Sequence, residues 1–215
     1  MKKIPTLFVR DFANVSLMAS GNYVIDEVNP GCEWVTEGEG WATRKWDGMP
    51  FLHRDGKWYK RYDAKVFTID QKTGERKNHD RKPPEGFEPL MDAPDPHTGH
   101  LPGWVPCTLP EDKLLFETVA LYSNKVRTCN GTYELVGPKV GTRAGKNPEN
   151  LSEHWLYHHG DTIYMDAPRT FDELRDFMAT NDIEGVVWHH PDGRMVKLKG
   201  TDFGIVRGEK RTNAQ

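Results

Sequence analysis

The sequence predicts an α+β protein, and three observations carry that class. Two β-hairpin signals stand far apart: MPFLHRDGKWYKRYDAK turns at Asp55-Gly56, and IEGVVWHHPDGRMVKLKG turns at Pro191–Gly193. Two capping-box spacings, Thr108 to Glu111 and Thr170 to Glu173, open helical patterns. Strands and helices follow one another without regular β-α alternation, which argues against a doubly wound sheet.

In chain order, TLFVR and NYVIDEV predict early strands, because both are rich in β-branched and aromatic residues. The Asp55-Gly56 hairpin follows. From about Gln71 to Pro110 the chain is rich in proline, glycine and charge, as in RKPPEGFEP and DAPDPHTGHLPGW. That stretch predicts a long loop excursion from the core and not a boundary. One domain over residues 1–215 is therefore expected.

A helix opens at Thr108, with Leu115, Val119 and Tyr122 near one face. GTYELVG predicts a strand. The segment from about Pro148 to His159 predicts a short helix that stops at Gly160. Thr170 starts a clearer helix through FDELRDFMA, and the second hairpin closes the pattern.

Composition narrows the class of function. A net charge of −3 sets up no global field toward nucleic acid or an acidic membrane. Charged residues make up 28% and there are seven tryptophans, as in a globular chain and not a disordered one. No apolar run approaches the roughly 18–20 residues of a membrane span, and MKKIPTLFVRDF lacks a signal-peptide core. Cys32, Cys107 and Cys129 are isolated and odd in number, which implies neither a disulfide frame nor a zinc pattern. A reducing, cytoplasmic setting is expected.

Locally the charge is different. From Arg44 to Lys65 seven basic residues (Arg44, Lys45, Arg54, Lys57, Lys60, Arg61, Lys65) face three acids, Asp47, Asp55 and Asp63. The stretch from Arg194 to Arg211 is also basic. Such runs serve as solvated faces or as phosphate-binding surfaces.

The stretch ATRKWDGMPFL isolates Lys45, two residues before an acid. K-x-D-G alone fits a surface lysine at a hairpin as well as a nucleophile. Its companions are Glu134 in TYELVG, Glu184 in IEGVV, and Lys197 and Lys199 in MVKLKG. Lys197 and Lys199 are two apart on a predicted strand and project from one face. Like charges there repel unless an anion or a carboxylate lies between them. The pair is either a charged edge that resists aggregation or a phosphate clamp.

KWDG, YELVG, EGVV and VKLK, in that order, resemble the nucleotidyltransferase motifs of ATP-dependent ligases and capping enzymes, and in particular those of small ATP-dependent RNA ligases. TGHLPGW and YELVGPKV also resemble segments of the RNA ligase 1-like family, and the likeness runs from PTLFVRDF to VKLKGTDFG. The resemblance implies the nucleotidyltransferase fold of the ATP-grasp type: two antiparallel sheets flanked by helices, with ATP between them. It implies that Lys45 attacks the α-phosphate of ATP, expels pyrophosphate and carries AMP on a phosphoramidate bond. AMP then passes to the 5′-phosphate of one RNA end, and the 3′-hydroxyl of another end displaces it.

By the same resemblance, Lys197 and Lys199 hold the α-phosphate, and Glu184 is the acid on the side of a magnesium ion. Glu134 receives a ribose hydroxyl, and Asp47 and Gly48 complete the nucleotide-binding motif. Arg61 matches the arginine that contacts the nucleotide or the RNA phosphate, with Lys60 and Arg54 as alternatives. A free lysine has a pKa of about 10.4, so a nucleophilic Lys45 needs nearby cations such as Arg44, Lys197 and Lys199.

The chain departs from the family pattern at Arg44, where many ligases carry an acid, and at Met49-Pro50, where many carry a small polar residue or arginine. Sixteen residues follow Lys199, so no appended OB-fold domain is expected. The expected activity is joining of 5′-phosphate and 3′-hydroxyl RNA ends in RNA repair, with ATP and Mg2+ and without a membrane. The rivals are a minimal DNA ligase, a capping guanylyltransferase, and a catalytically inactive RNA- or nucleotide-binding module.

Histidines and tryptophans leave choices open. His154 and His158, at i,i+4 on the expected helix with His159 beside them, make half a metal site or an ordinary polar or RNA contact. His189 and His190 abut a turn and predict solvent-facing side chains. His97 and His100 lie in the long loop without an assigned role. Trp46 alternates with Lys45 and predicts a core position. Trp58 and Trp104 either stack on bases or pack internally.

Overall fold

The computed structural model describes residues 4–11, 23–70, 73–122, 128–142, 145–205 and 207. Along the chain β1 (Phe8–Arg10) and β2 (Val24–Val28) precede a four-residue helix, α1 (Glu33–Thr36), and β3 (Trp41–Lys45). Next come β4 (Met49–Arg54), β5 (Lys57–Lys65), β6 (Phe67–Ile69), β7 (Arg76–Asn78), β8 (Glu88–Pro89) and β9 (His100–Pro106). Helix α2 (Lys113–Tyr122) leads to β10 (Gly131–Val136), β11 (Gly141–Thr142), β12 (Gly145–Lys146) and β13 (Trp155–His158). The last elements are β14 (Ile163–Tyr164), α3 (Phe171–Thr180), β15 (Gly185–His189), β16 (Met195–Lys199) and a 3-10 turn at Gly200–Phe203.

The class is mixed α/β and dominated by antiparallel sheet; the helices among the described residues are few and short. The chain divides into two compact units, Gly48–His159 and Ile4–Asp47 together with the chain from Gly160 onward. No helix among the described residues is long and apolar enough to cross a membrane.

Gly48–His159 holds a six-stranded sheet in the order β13-β10-β4-β5-β9-β8. The Asp55-Gly56 turn joins β4 and β5 as expected, pairing Arg54 with Lys57. Asp55 and Gly56 both have positive φ, 52° and 75°, which suits the hairpin's right-handed twist. Phe51, Trp58, Leu115, Tyr133, Leu135 and Val140 form the core, so α2 covers one face through Leu115. Helix α2 forms where the apolar spacing predicts one but begins at Lys113, five residues after Thr108, and a turn over residues 109–112 precedes it. The Thr108 backbone N–H, however, donates to Asp112 (2.8 Å), while Glu111 takes the Thr108 hydroxyl (3.1 Å).

Two expectations are corrected here. The long loop contains β9, a full member of the sheet beside β5. Its prolines hid it, but Pro102 accepts from Leu90 N–H (2.9 Å) on the β8 side, so its missing N–H costs the β5 ladder nothing. Pro148–His159 is not a helix, because β13 pairs antiparallel with β10 over four residues there. Trp155 and Tyr157 alternate with Leu156 at the strand period of two, and Leu156 packs on the core.

The other unit holds a four-stranded sheet, β14-β3-β15-β16, and the β1-β2 pair. Leu7, Phe8, Trp34, Val35, Leu174, Met178, Val186, Trp188, Val196 and Leu198 are buried together. Thr170 caps α3 in extended conformation, and its hydroxyl donates to Glu173 (2.7 Å). The helix buries Leu174 and Met178, one turn apart.

Candidate active site

The register of the four-stranded sheet decides what shares a face. Gly185 lies opposite both Lys45 and Lys199. Val187 lies opposite Lys197 and Thr43, and His189 opposite Met195 and Trp41. Directly opposed residues point to one side. The face therefore carries Lys45, Lys197 and Lys199 at one end and the aromatic pair Trp41–His189 at the other. The opposite side buries Ala42, Val186, Trp188, Val196 and Leu198.

Gly185 places no side chain between Lys45 and Lys199. A Cβ there would lie 2.1 Å from the Leu198 carbonyl oxygen. The preceding residue, Glu184, fills the role. Its Oε1 accepts from Lys199 Nζ at 2.8 Å, and its Oε2 pairs with Lys45 Nζ. The carboxylate is only 12% exposed. Here is the bridging acid that two lysines on one face require.

Burial pulls the Glu184 pKa up, but Lys45 and then Lys199 outweigh it, and the pKa falls below the ordinary carboxylate value. Burial likewise pulls Lys199 down, yet Glu184 reverses this and raises it. Lys197 has no such partner among the described residues. Burial first, then Lys199, Lys45 and Arg10, push it down to about 8, against a weak opposing pull from Asp202.

Two residues that motif matching overlooked belong to this cluster. Arg10 on β1 donates to Asp202 Oδ1 at 2.8 Å, and Asp202 Oδ2 accepts the Lys199 backbone N–H at 2.9 Å. Asp202 is 2% exposed. The KGTDFG run after the lysines carried the only sequence signal for it. Arg44 does not join the cluster; its guanidinium lies 4.1 Å over the Trp46 ring. Trp46 is buried, as the alternation with Lys45 predicts. Asp47 pairs with Arg207 at 3.6 Å.

Lys197 supplies a stability prediction. Its folded pKa is lowered, so the unfolded chain binds more protons between about pH 8 and the ordinary lysine value. This group therefore costs stability below about pH 8, and the cost fades as pH rises. Lys197→Met is expected to raise the melting temperature at pH 7 by a few degrees, from about 1–2 kcal/mol of relieved burial and repulsion. The gain should vanish near pH 10.5, the ordinary lysine value. Thermal melts of both proteins across pH 7 to 10.5 check it.

In the Gly48–His159 unit, Glu134 is 7% exposed on β10. Its Oε1 accepts the Gly48 N–H at 3.0 Å, and its Oε2 lies 2.9 Å from His159 Nε2. Gly48 is required by close approach: a Cβ there would lie 2.1 Å from the Leu135 carbonyl oxygen. Glu134 lies opposite Tyr157 and Pro50, and Arg61 opposite Trp104. Extending the β4-β5 register sets Pro50 across from Arg61, so Glu134 and Arg61 share a face, about 10 Å apart at two strand spacings.

Carboxylates engage three cations of the basic stretch, while Lys57 and Lys65 are exposed. Arg54 pairs with Glu88 (2.8 Å), Lys60 with Asp112 (2.9 Å) and Arg61 with Asp63 (2.9 Å). Lys60 also points to the opposite face from Glu134, since Phe51 in the core lies across from it.

The histidines sort differently from the expectation. His154 does not sit on a helix; its Nε2 accepts the Lys139 N–H at 3.1 Å, and burial, then Lys139, lowers its pKa. His158 packs its ring on Tyr133. Among the described residues no three or more His, Cys, Asp or Glu side chains gather as a metal cluster. His189 and His190 are not solvent-facing. His189 stacks on Trp41 and lies 2.8 Å from Thr43 Oγ1, and His190 is held by Glu39 and Asp192. His97 is exposed and His100 half-buried in β9. Trp58 and Trp104 are buried, which makes them packing residues. All three cysteines are free. Comparison with protein-family models and with curated proteins returned no match.

Proposed function

We propose that this protein is an ATP-dependent RNA ligase of the covalent nucleotidyltransferase type, built on an ATP-grasp-type fold of two antiparallel sheets. The observation that supports it is the Lys45–Glu184–Lys199 bridge with Lys197 beside it. Residues 139 positions apart in sequence, each from a different ordered motif, converge at one end of one sheet face.

The cluster suits a phosphate. Lys45, Lys197, Lys199 and Arg10 outnumber the carboxylates Glu184 and Asp202 by two. Lys197, without a carboxylate partner among the described residues, is the cation most ready for an incoming anion. Lys45 releases Glu184, gives its proton to solvent water and attacks the α-phosphorus as the neutral amine. The N–P bond forms as the bond to the pyrophosphate oxygen breaks, and Lys197 and Lys199 neutralise the charge that gathers there. Glu134, held on both oxygens, accepts a ribose hydroxyl.

Magnesium, when bound, supplies further charge neutralisation. Glu184 is the residue that would hold it. A single carboxylate fits an ion that takes most of its ligands from phosphates and water.

Incubation with labelled ATP or GTP, followed by a denaturing gel, tests the assignment. Protein-linked AMP is the expected result. Linked GMP would mean a capping enzyme, and an unlabelled protein a binding module. Matched 5′-phosphate ends offered to adenylated protein then test the substrate. RNA should be sealed at least about tenfold faster than DNA, the worth of one hydrogen bond to a 2′-hydroxyl. Equal or faster sealing of DNA would reject the RNA assignment and keep the nucleotidyltransferase one.

A further inference from the structure

We propose that His159 is the positioning residue for Glu134, and that this pair makes the protein prefer a ribonucleotide to its deoxy analogue. What Glu134 receives rests on the nucleotidyltransferase reading above; the geometry of the pair does not.

His159 directly follows β13 and is pinned to β10 twice. Its backbone N–H donates to the Thr132 carbonyl, and its Nδ1 lies 2.9 Å from Thr132 Oγ1. Its Nε2 lies 2.9 Å from Glu134 Oε2. An ionised carboxylate only accepts, so Nε2 carries the proton. In the neutral ring Nδ1 is then the acceptor, and the Thr132 hydroxyl donates to it. The hydroxyl, the imidazole and the carboxylate form one directed chain.

The carboxylate is fixed from both sides. Gly48 N–H holds Oε1 and His159 holds Oε2, so rotation of the carboxylate breaks both bonds. An ionised carboxylate offers about four acceptor positions, and these donors fill two. Each oxygen keeps one position, and its direction is set before any ligand arrives. A hydroxyl that donates to such an oxygen gains a charge-assisted hydrogen bond without ordering a side chain first.

A deoxy nucleotide lacks that hydroxyl and gains nothing from the orientation. His159 therefore acts on the difference between the two nucleotides, through Glu134, and touches neither substrate nor reacting atoms. A purely structural histidine would affect both nucleotides alike.

The test measures covalent adenylation of the full chain with ATP, 2′-deoxy-ATP and 3′-deoxy-ATP, alongside melting temperatures. Wild type should discriminate against at least one deoxy nucleotide. His159→Ala should lose about tenfold in kcat/KM for ATP, carried mainly by KM, as for one misdirected hydrogen bond. The same variant should change little with the disfavoured deoxy nucleotide, so discrimination collapses. His159→Gln, whose amide N–H reaches toward the place of Nε2–H, should recover most of it.

Equal losses with all three nucleotides would overturn the proposal, and so would a glutamine variant as poor as alanine. A wild type that forms linked AMP without distinguishing ATP from either analogue also overturns it, while the ligase assignment stands. A wild type that takes no label from any nucleotide overturns both.

Discussion

Replacing Lys45 with alanine is expected to abolish the proposed covalent adenylation and to leave the protein folded. The side chain is 24% exposed and belongs to neither core cluster, so its removal opens no cavity. Glu184 loses one partner but keeps Lys199 at 2.8 Å, so no buried charge is stranded. The stability change should stay within about 1 kcal/mol, as for a partly exposed ion pair. Lys45→Arg should fail as completely, because a guanidinium stays protonated and cannot attack. Mapping the labelled peptide is the sharper measurement. Lys197 is the neighbouring amine whose pKa falls to about 8, which makes it the competitor to check among the described residues. Label on Lys197, or linked AMP in the Lys45→Ala protein, would move the nucleophile off Lys45.

Glu184→Gln is expected to do two things at once. Adenylation should fall by about 10²-fold or more, the scale on which one charge-organising group acts in a transition state. Stability should fall too, because Lys45, Lys197, Lys199 and Arg10 would then face only Asp202. A loss of about 1–3 kcal/mol is reasonable for a mostly buried carboxylate whose lysine partners are partly exposed. For a chain of this size that is roughly 3–9 °C in melting temperature.

The pH dependence carries a sign. The Glu184 pKa is lowered in the folded state. Its contribution is thus present above the ordinary carboxylate value and is lost as pH falls through the lowered one. The melting curves of wild type and variant should separate near neutrality and converge in acid. Normal activity per folded Glu184→Gln molecule would make the carboxylate a clasp and nothing more.

How much of this was legible from residues alone varied with the physics that placed each part. The Asp55-Gly56 hairpin, the final hairpin and α3 were plain, because turn chemistry and local periodicity fix them. Strand β9 was not, since its prolines look like breakers until the strand beyond them is known to be short. Strand β13 is hidden because Pro148 and Gly160 bracket the segment like the start and stop of a helix, and only four residues pair with β10, too few for a clear alternation. Among the candidate residues, the ordered motifs named Lys45, Glu134, Glu184, Lys197 and Lys199. They could not say that Glu184 itself neutralises the lysines. Arg10, Asp202 and His159 escaped because the Arg10–Asp202 and His159–Glu134 pairs span 192 and 25 positions, and no short pattern encodes those.

The unit that holds the lysines is split by the other one, which enters at Gly48 and leaves at His159. On a ribosome this sets an order of events. The six-stranded sheet draws all its strands from one continuous stretch and can close as soon as that stretch emerges. Strand β3 emerges first but has to wait for β15. Lys45 precedes Glu184 by 139 residues. At about 5–20 residues per second, translation separates them by roughly 7–30 s. For that interval Lys45 exists without Glu184, without Lys197 and Lys199, and without the strands β15 and β16 that complete its sheet. A half-made chain is therefore a folded insert on an unfinished host, and the proposed nucleotidyl transfer has to wait until the last hairpin is out.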